Sequence, residues 1–200
     1  MTQGEGVRRP GRRAGGSSAR DDILEAAREL FSATGFDRTT MRAVAERAGV
    51  DAALISHYFG SKRGLFLAAV EFPSDPEQVL APLRTCADDE IAATALRAIL
   101  GVWSSPAGPA IIARLRQAIA TDEPELIRGL LTGVILPVVS ARLGDRDQLD
   151  LRLALFASQV AGLLLTRHVI KLPAMAAADA EQVVDTVAPV LQHYLTGPLT

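Results

Sequence analysis

The sequence has a single cysteine, Cys86, among 200 residues. One thiol excludes an internal disulfide and every zinc or iron–sulfur site built from several cysteines, and it agrees with a reducing cytoplasm. The first twenty residues hold no apolar run of seven or more, so no secretory signal is read there and export is not expected. The longest apolar stretch, Leu153 to Thr166, is interrupted by Ser158 and Gln159 and falls short of the roughly 18 to 20 residues that cross a bilayer. A buried helix is expected there, and no membrane partner. Signatures such as HExxH, GxSxG or a glycine-rich phosphate loop are missing, and His57, His168 and His193 are scattered without a paired carboxylate motif. Neither catalysis nor a metal or other cofactor is expected. Runs alternating β-branched and polar residues are also missing, which leaves an all-α chain.

What is present is ordinary globular material, 48% hydrophobic and 22% charged. A chain of this length buries roughly 70% of its unfolded surface and needs no staple. The net charge of −2 hides an uneven distribution. Up to Phe66 there are eleven Lys and Arg against eight Asp and Glu, a balance of +3; the remainder has ten against fifteen, −5. Five of the early positives, Arg8, Arg9, Arg12, Arg13 and Arg20, sit in or beside a Gly-, Ser- and Pro-rich stretch over 1–18. That composition gives a flexible basic arm, either a nucleic-acid contact or a solvated tail.

Four short helices follow. Ser18 with Asp21 three residues on reads as an N-cap, and Ile23, Leu24, Ala27, Leu30 and Phe31 recur at helical spacing until Gly35. Thr39 or Thr40 caps a second helix, with Val44, Ala45 and Ala48 apolar and Gly49 as a left-handed stop. Asp51 caps a third, whose Leu54, Ile55 and Phe59 point inward while Ala52, Ala53, Ser56, His57 and Tyr58 face out or flank. Ser61 caps a fourth, with Leu65, Phe66, Ala69 and Val70 on its apolar face. Two short helices about a Gly turn, the second exposing small and hydrogen-bonding side chains, have the layout of a helix-turn-helix. Small residues on the leading face permit close approach to base edges in a major groove. A three-helix core with no ligand has the same spacing.

The run from Thr39 to Val50, followed by Leu54 to Phe66 (Leu-Ile-Ser-His-Tyr-Phe-Gly-Ser-Lys-Arg-Gly-Leu-Phe), resembles the TetR family of bacterial transcriptional repressors. The resemblance covers about Ala19 to Val70. It implies a DNA-binding domain over 19–66 and an all-helical domain over 67–200 that binds a small-molecule effector and dimerises. It further implies a palindromic double-stranded DNA operator and repression relieved by the effector. Carried over by position, Thr40 and Arg42 lie near phosphate and base edges, Ala52, Ala53, Ser56 and His57 in the groove, and Tyr58 and Lys62 on the DNA backbone. Lys62 stands beside a helix N-terminus, where an ammonium and free N–H groups together suit a phosphate. Ser56 and Arg63 depart from the family pattern, which often has an aromatic and a glutamate there. Arg63 is either a further phosphate contact or a solvent-facing substitute. With two alanines in the reading face, appreciable readout of DNA shape is expected.

Beyond Asp75, helical stripes are separated by breaks at Pro106 to Pro109, Asp122 to Pro124, Gly144-Asp145 and Pro173. Ile91, Ala95, Leu96, Ile99 and Trp103 form one helix, and Ile111, Ile112, Leu115 and Ile119 another. Leu126, Leu130, Leu131, Val134 and Val138 form a third, kinked by Pro137. The last two, over 147–171 and 179–195, are long, and the first of them is apolar nearly all round. Such a helix must be covered on every side, so the pair is expected to form a four-helix homodimer interface with its copy. Trp103, Arg114, Gln117, Gln159, Arg167 and His168 are candidate polar or aromatic ligand contacts on apolar helices. An activator of the same fold, or a helical carrier that retains a DNA-binding head, are the alternatives to a repressor.

Overall fold

The computed structural model describes residues 18–72, 76–121 and 124–199, without the side chains of residues 77 and 126. Arg8, Arg9, Arg12, Arg13, Pro73, Asp122 and the side chain of Leu126 lie outside the described residues. Among the described residues every regular element is helical.

The head is built from α1 (Ala19–Arg38), α2 (Met41–Ala48), α3 (Ala52–Phe59) and α4 (Lys62–Ala69). Each begins on a local cap. Ser18 and Asp21 form a reciprocal capping box, and Thr40 accepts from the Ala43 N–H at 3.1 Å. Asp51 accepts from the Ala53 N–H at 2.7 Å and Ser61 from the Gly64 N–H at 3.1 Å. α1 kinks at Gly35 (φ 79°) and runs one further turn, which sends Phe36 back against Phe31 and Phe66. Phe31 meets Phe66 edge-on at 5.0 Å between ring centroids. α2 stops at Gly49 in the left-handed region, where the N–H groups of Gly49 and Val50 turn back to the carbonyls of Glu46 and Ala45.

α4 ends in the same hydrogen-bond pattern: Phe72 N–H donates to Leu67 O and Glu71 N–H to Ala68 O. Glu71 takes the left-handed position (φ 51°) that Gly49 fills at the end of α2. A side chain there costs about 1 kcal/mol or more relative to glycine. Ala69 is buried with the head core, so a division at Phe66 passes inside α4.

The body comprises α5 (Pro76–Val79), α6 (Ile91–Ser104), α7 (Gly108–Ala120), α8 (Pro124–Leu130), α9 (Leu136–Leu143), α10 (Leu149–Leu164), α11 (Pro173–Ala177) and α12 (Ala180–Thr196). Its core runs along α6, with Ile91, Ala95, Leu96 and Leu100 packed among Val139, Phe156, Val160, Val184, Leu191 and Leu195. Between α8 and α9 the winding widens to five-residue hydrogen bonding across Leu131–Ile135. The kink expected from Pro137 takes this form. Pro137 has no N–H for the Gly133 carbonyl four residues earlier, and Arg63 Nε, 70 residues away, donates to that carbonyl at 3.0 Å. Arg63 is therefore anchored in the body, not turned to solvent.

Head and body share a wall. Val134 is fully buried in the head core, and a Cβ on Gly133 would lie 2.5 Å from Cε1 of Phe36.

α10 continues through a second widened turn, Leu165–Val169. The continuous helix Leu149–Val169 is long and apolar enough to cross a membrane by length and composition, with mean hydropathy 1.4 over its most apolar window, 33% of which is buried. The run expected to fall short of a span is thus part of a longer helix, and the expected burial on every side is not met within one chain. Leu151, Ala154, Ser158, Ala161 and Gly162 face outward on α10, as do Thr186, Pro189, Val190 and His193 on α12.

Candidate functional site

Two places are candidates for function: the outer face of α3, and the pockets where head meets body. α3 is pinned by Ile55, fully buried, with Leu54 and Phe59 half-buried beside it. At about 3.6 residues per turn, Ala53, Ser56, His57 and Tyr58 are then in solvent, as expected, with the Tyr58 ring against His57 at 5.6 Å. Ala52 is different: it is half-buried against the head core. Arg42 is exposed in the first turn of α2, and Thr40 is the cap of that helix.

The remaining head cations are already engaged. Arg47 pairs with Glu29 at 2.6 Å. Lys62 Nζ donates to the Asp37 carbonyl at 3.1 Å and lies 4.5 Å from the centre of the Phe36 ring. This holds the ammonium between the end of α1 and the start of α4.

Two adjoining pockets, taken together as the outer and inner arms of one candidate site, share Phe72, Trp103, Ile111, Leu115, Ile127 and Leu130. The outer arm, about 290 Å³, adds Arg28 and Ser32 from α1 and Arg114 and Gln117 from α7. The inner arm, about 280 Å³, is walled by aliphatic and aromatic side chains, among them Val79, Ile99, Leu136, Phe156 and Leu164. Each arm is near the lower end of the roughly 300–1,000 Å³ usual for small-molecule sites.

Of the six expected ligand contacts, Trp103, Arg114 and Gln117 reach these walls. Gln159 is on the exposed outer face of α10. Arg167 donates to the carbonyls of Met175 at 2.6 Å and Ala178 at 2.8 Å, closing the end of α11. His168 packs 5.3 Å from the Trp103 ring; its Nε2 is buried with no hydrogen-bond partner. Desolvation first, then the charges of Arg167 and Lys171, hold its pKa below the ordinary histidine value.

Sequence reasoning missed Arg28, Ser32 and Glu71. Arg28 donates through Nε to the Ala69 carbonyl at 2.9 Å and through Nη2 to Glu71 at 3.1 Å. Arg114 Nη2 meets the other Glu71 oxygen at 2.5 Å. No periodic signal marks these residues, since Arg28 and Ser32 lie on the polar face of α1 and Glu71 in the turn after α4.

A capped helix pair about a glycine turn, seated on an all-helical body with a cavity at the seam, defines a two-part helix-turn-helix protein. Residues 23–69 match the family described as "Bacterial regulatory proteins, tetR family", and residues 65–195 match "Tetracyclin repressor-like, C-terminal domain". The protein belongs to the TetR family. A TetR-family regulator of Streptomyces coelicolor A3 has a similar solved structure, with TM-score 0.52 and 33% identity over 93% of this chain and 99% of that one. The transcriptional regulatory protein RaaS of Mycobacterium tuberculosis is 51% identical over 53 residues, 26% of this chain and 24% of that protein. The regulator RutR of Escherichia coli is 39% identical over 90 residues, 44% of this chain and 41% of that protein. The chain thus spans between a quarter and two fifths of the length of these two relatives.

Proposed function

We propose that the protein is a ligand-responsive transcriptional repressor of the cytoplasm. The carrying observation is the asymmetry of α3, whose Ile55 is fully buried while Ala53, Ser56, His57 and Tyr58 are exposed together. Such a face fits a major groove, with Arg42 beside it for a base edge or phosphate, and Thr40 and Lys62 at helix starts for phosphate. Ala52 fits the groove edge by its small size. Two copies pair through the open faces of α10 and α12, bringing two heads to half-sites about 34–36 Å apart, or a multiple of that, on a palindromic operator. Effector in the cavity spreads or twists the heads and lowers operator affinity. Repression is favoured over activation, or over a carrier with a vestigial head, by the family membership.

Fluorescence anisotropy with the DNA upstream of the protein's own gene tests the reading. Tight binding is expected that falls steeply with salt and is weakened by Arg42→Ala and His57→Ala, by about 1–3 kcal/mol each if they touch bases. Binding no tighter than to random DNA, there and to fragments selected genome-wide, overturns it, as does a monomer in sedimentation at micromolar concentration.

A further inference from the structure

The two arms of the cavity differ in chemistry. The inner arm carries no charged side chain among its lining residues, whereas the outer arm carries two guanidinium groups, from α1 and α7. Both converge on one carboxylate, Glu71, which gives one oxygen to each: Arg28 at 3.1 Å and Arg114 at 2.5 Å. Two cations facing one anion leave positive charge at the mouth of an apolar chamber. Glu71 is 60% exposed at its side chain, so its ion pairs are well solvated and weak enough to exchange. Its backbone also occupies a left-handed position that Gly49 fills in the equivalent turn after α2. A glycine would hold this turn with less strain but would supply no carboxylate.

We propose that the effector is an amphipathic monocarboxylate. Its aliphatic tail fills the inner arm, and its carboxylate replaces Glu71 between Arg28 and Arg114. This rests on the cavity being the effector site. Glu71 is then an internal stand-in for the ligand head group. It links the head helix α1 to the body helix α7 in the empty protein, and the ligand takes over that link on entry.

Trp103 is the only tryptophan in the chain and lines both arms, so its emission reads occupancy directly. The full chain is titrated with decanoate, decan-1-ol and decyltrimethylammonium. Decanoate is expected to bind about tenfold or more tighter than either of the others, since a charge-assisted hydrogen-bond pair is gained. Arg114→Gln removes that preference and leaves the alcohol unchanged; Glu71→Gln tightens decanoate by removing its competitor. Equal binding of alcohol and carboxylate, or decanoate binding weakened by Glu71→Gln, overturns the proposal. DNA binding is followed in parallel. Trp103 responses of the expected pattern without any operator binding sustain the ligand class and defeat the regulatory reading. Intact operator binding with no Trp103 response to the three probes does the reverse.

Discussion

The head and the body start their helices by different chemistry. All four head helices start on a Ser, Thr or Asp two or three residues from the N–H it accepts from. Among the body helices whose starts are described, α6, α7, α9, α10 and α11 begin with no side-chain cap, and α12 begins on one, Asp179. Carbonyls at helix ends, by contrast, are met from a distance in both regions, by Arg28 on Ala69 and Lys62 on Asp37 in the head and by arginines in the body. Arg142 donates to the carbonyls of Leu83 and Cys86, and the buried Arg152 to those of Tyr194 and Gly197. The starts of the head helices are specified by their nearest neighbours in sequence, which fixes where α3 begins. The body is specified by distant contacts, which leaves room for a cavity and for rearrangement around it.

The largest expected effect tests whether the two regions are one cooperative unit. Phe66→Ala removes a ring buried between Phe31 and Phe36, and is expected to destabilise the protein by about 3–5 kcal/mol in urea unfolding. A single shifted transition by both fluorescence and circular dichroism is expected, because Gly129 and Val134 of the body rest on this head cluster. A separate early head transition would break the shared wall. A smaller effect separates local caps by region: Asp51→Ala and Asp179→Ala should each cost about 1 kcal/mol. Only the first should also lower operator affinity in anisotropy, since Asp51 begins α3.

The smallest concerns His168. Its pKa is lowered in the fold, so below the ordinary value near 6.5 the unfolded chain takes up a proton that the folded side chain does not. The stability this neutral imidazole contributes is present above that value and declines as pH falls through it. Thermal melts should therefore show a steeper loss on acidification for the wild type than for His168→Phe. Equal slopes would place the pH response elsewhere.

This division also decided what the sequence disclosed. Ser18, Thr40, Asp51, Ser61 and Gly49 were legible because cap and partner are consecutive in the chain. Arg63 was not: a guanidinium on a flexible stem finds Gly133 only after 70 residues have folded. Arg28, 41 residues from Ala69, escaped for the same reason, and Arg167, expected at a ligand, turns instead to the carbonyls of Met175 and Ala178 just beyond it. Lys62 was legible as a residue beside a helix start, but its engagement with Asp37 and Phe36 depends on the kink at Gly35. The cavity was legible only through Trp103, Arg114 and Gln117, for Ile111 and Leu115 give the same periodic stripe whether they face a packed core or a void.

The widened turn at Leu131–Ile135 has a consequence for chain length. Leu136 N–H donates to Leu131 O, five residues back rather than four, so the helix carries one residue more than an α-helix of the same rise. Deleting one residue there would return the turn to α geometry with the downstream faces kept, whereas rewinding all its residues as α-helix would rotate everything downstream by about 100°. As built, Gly133 and Val134 meet the head, Ile135 and Leu136 face the cavity, and Val139 and Leu143 enter the body core. The same residues wound as an unbroken α-helix would keep the helix and lose that division of faces.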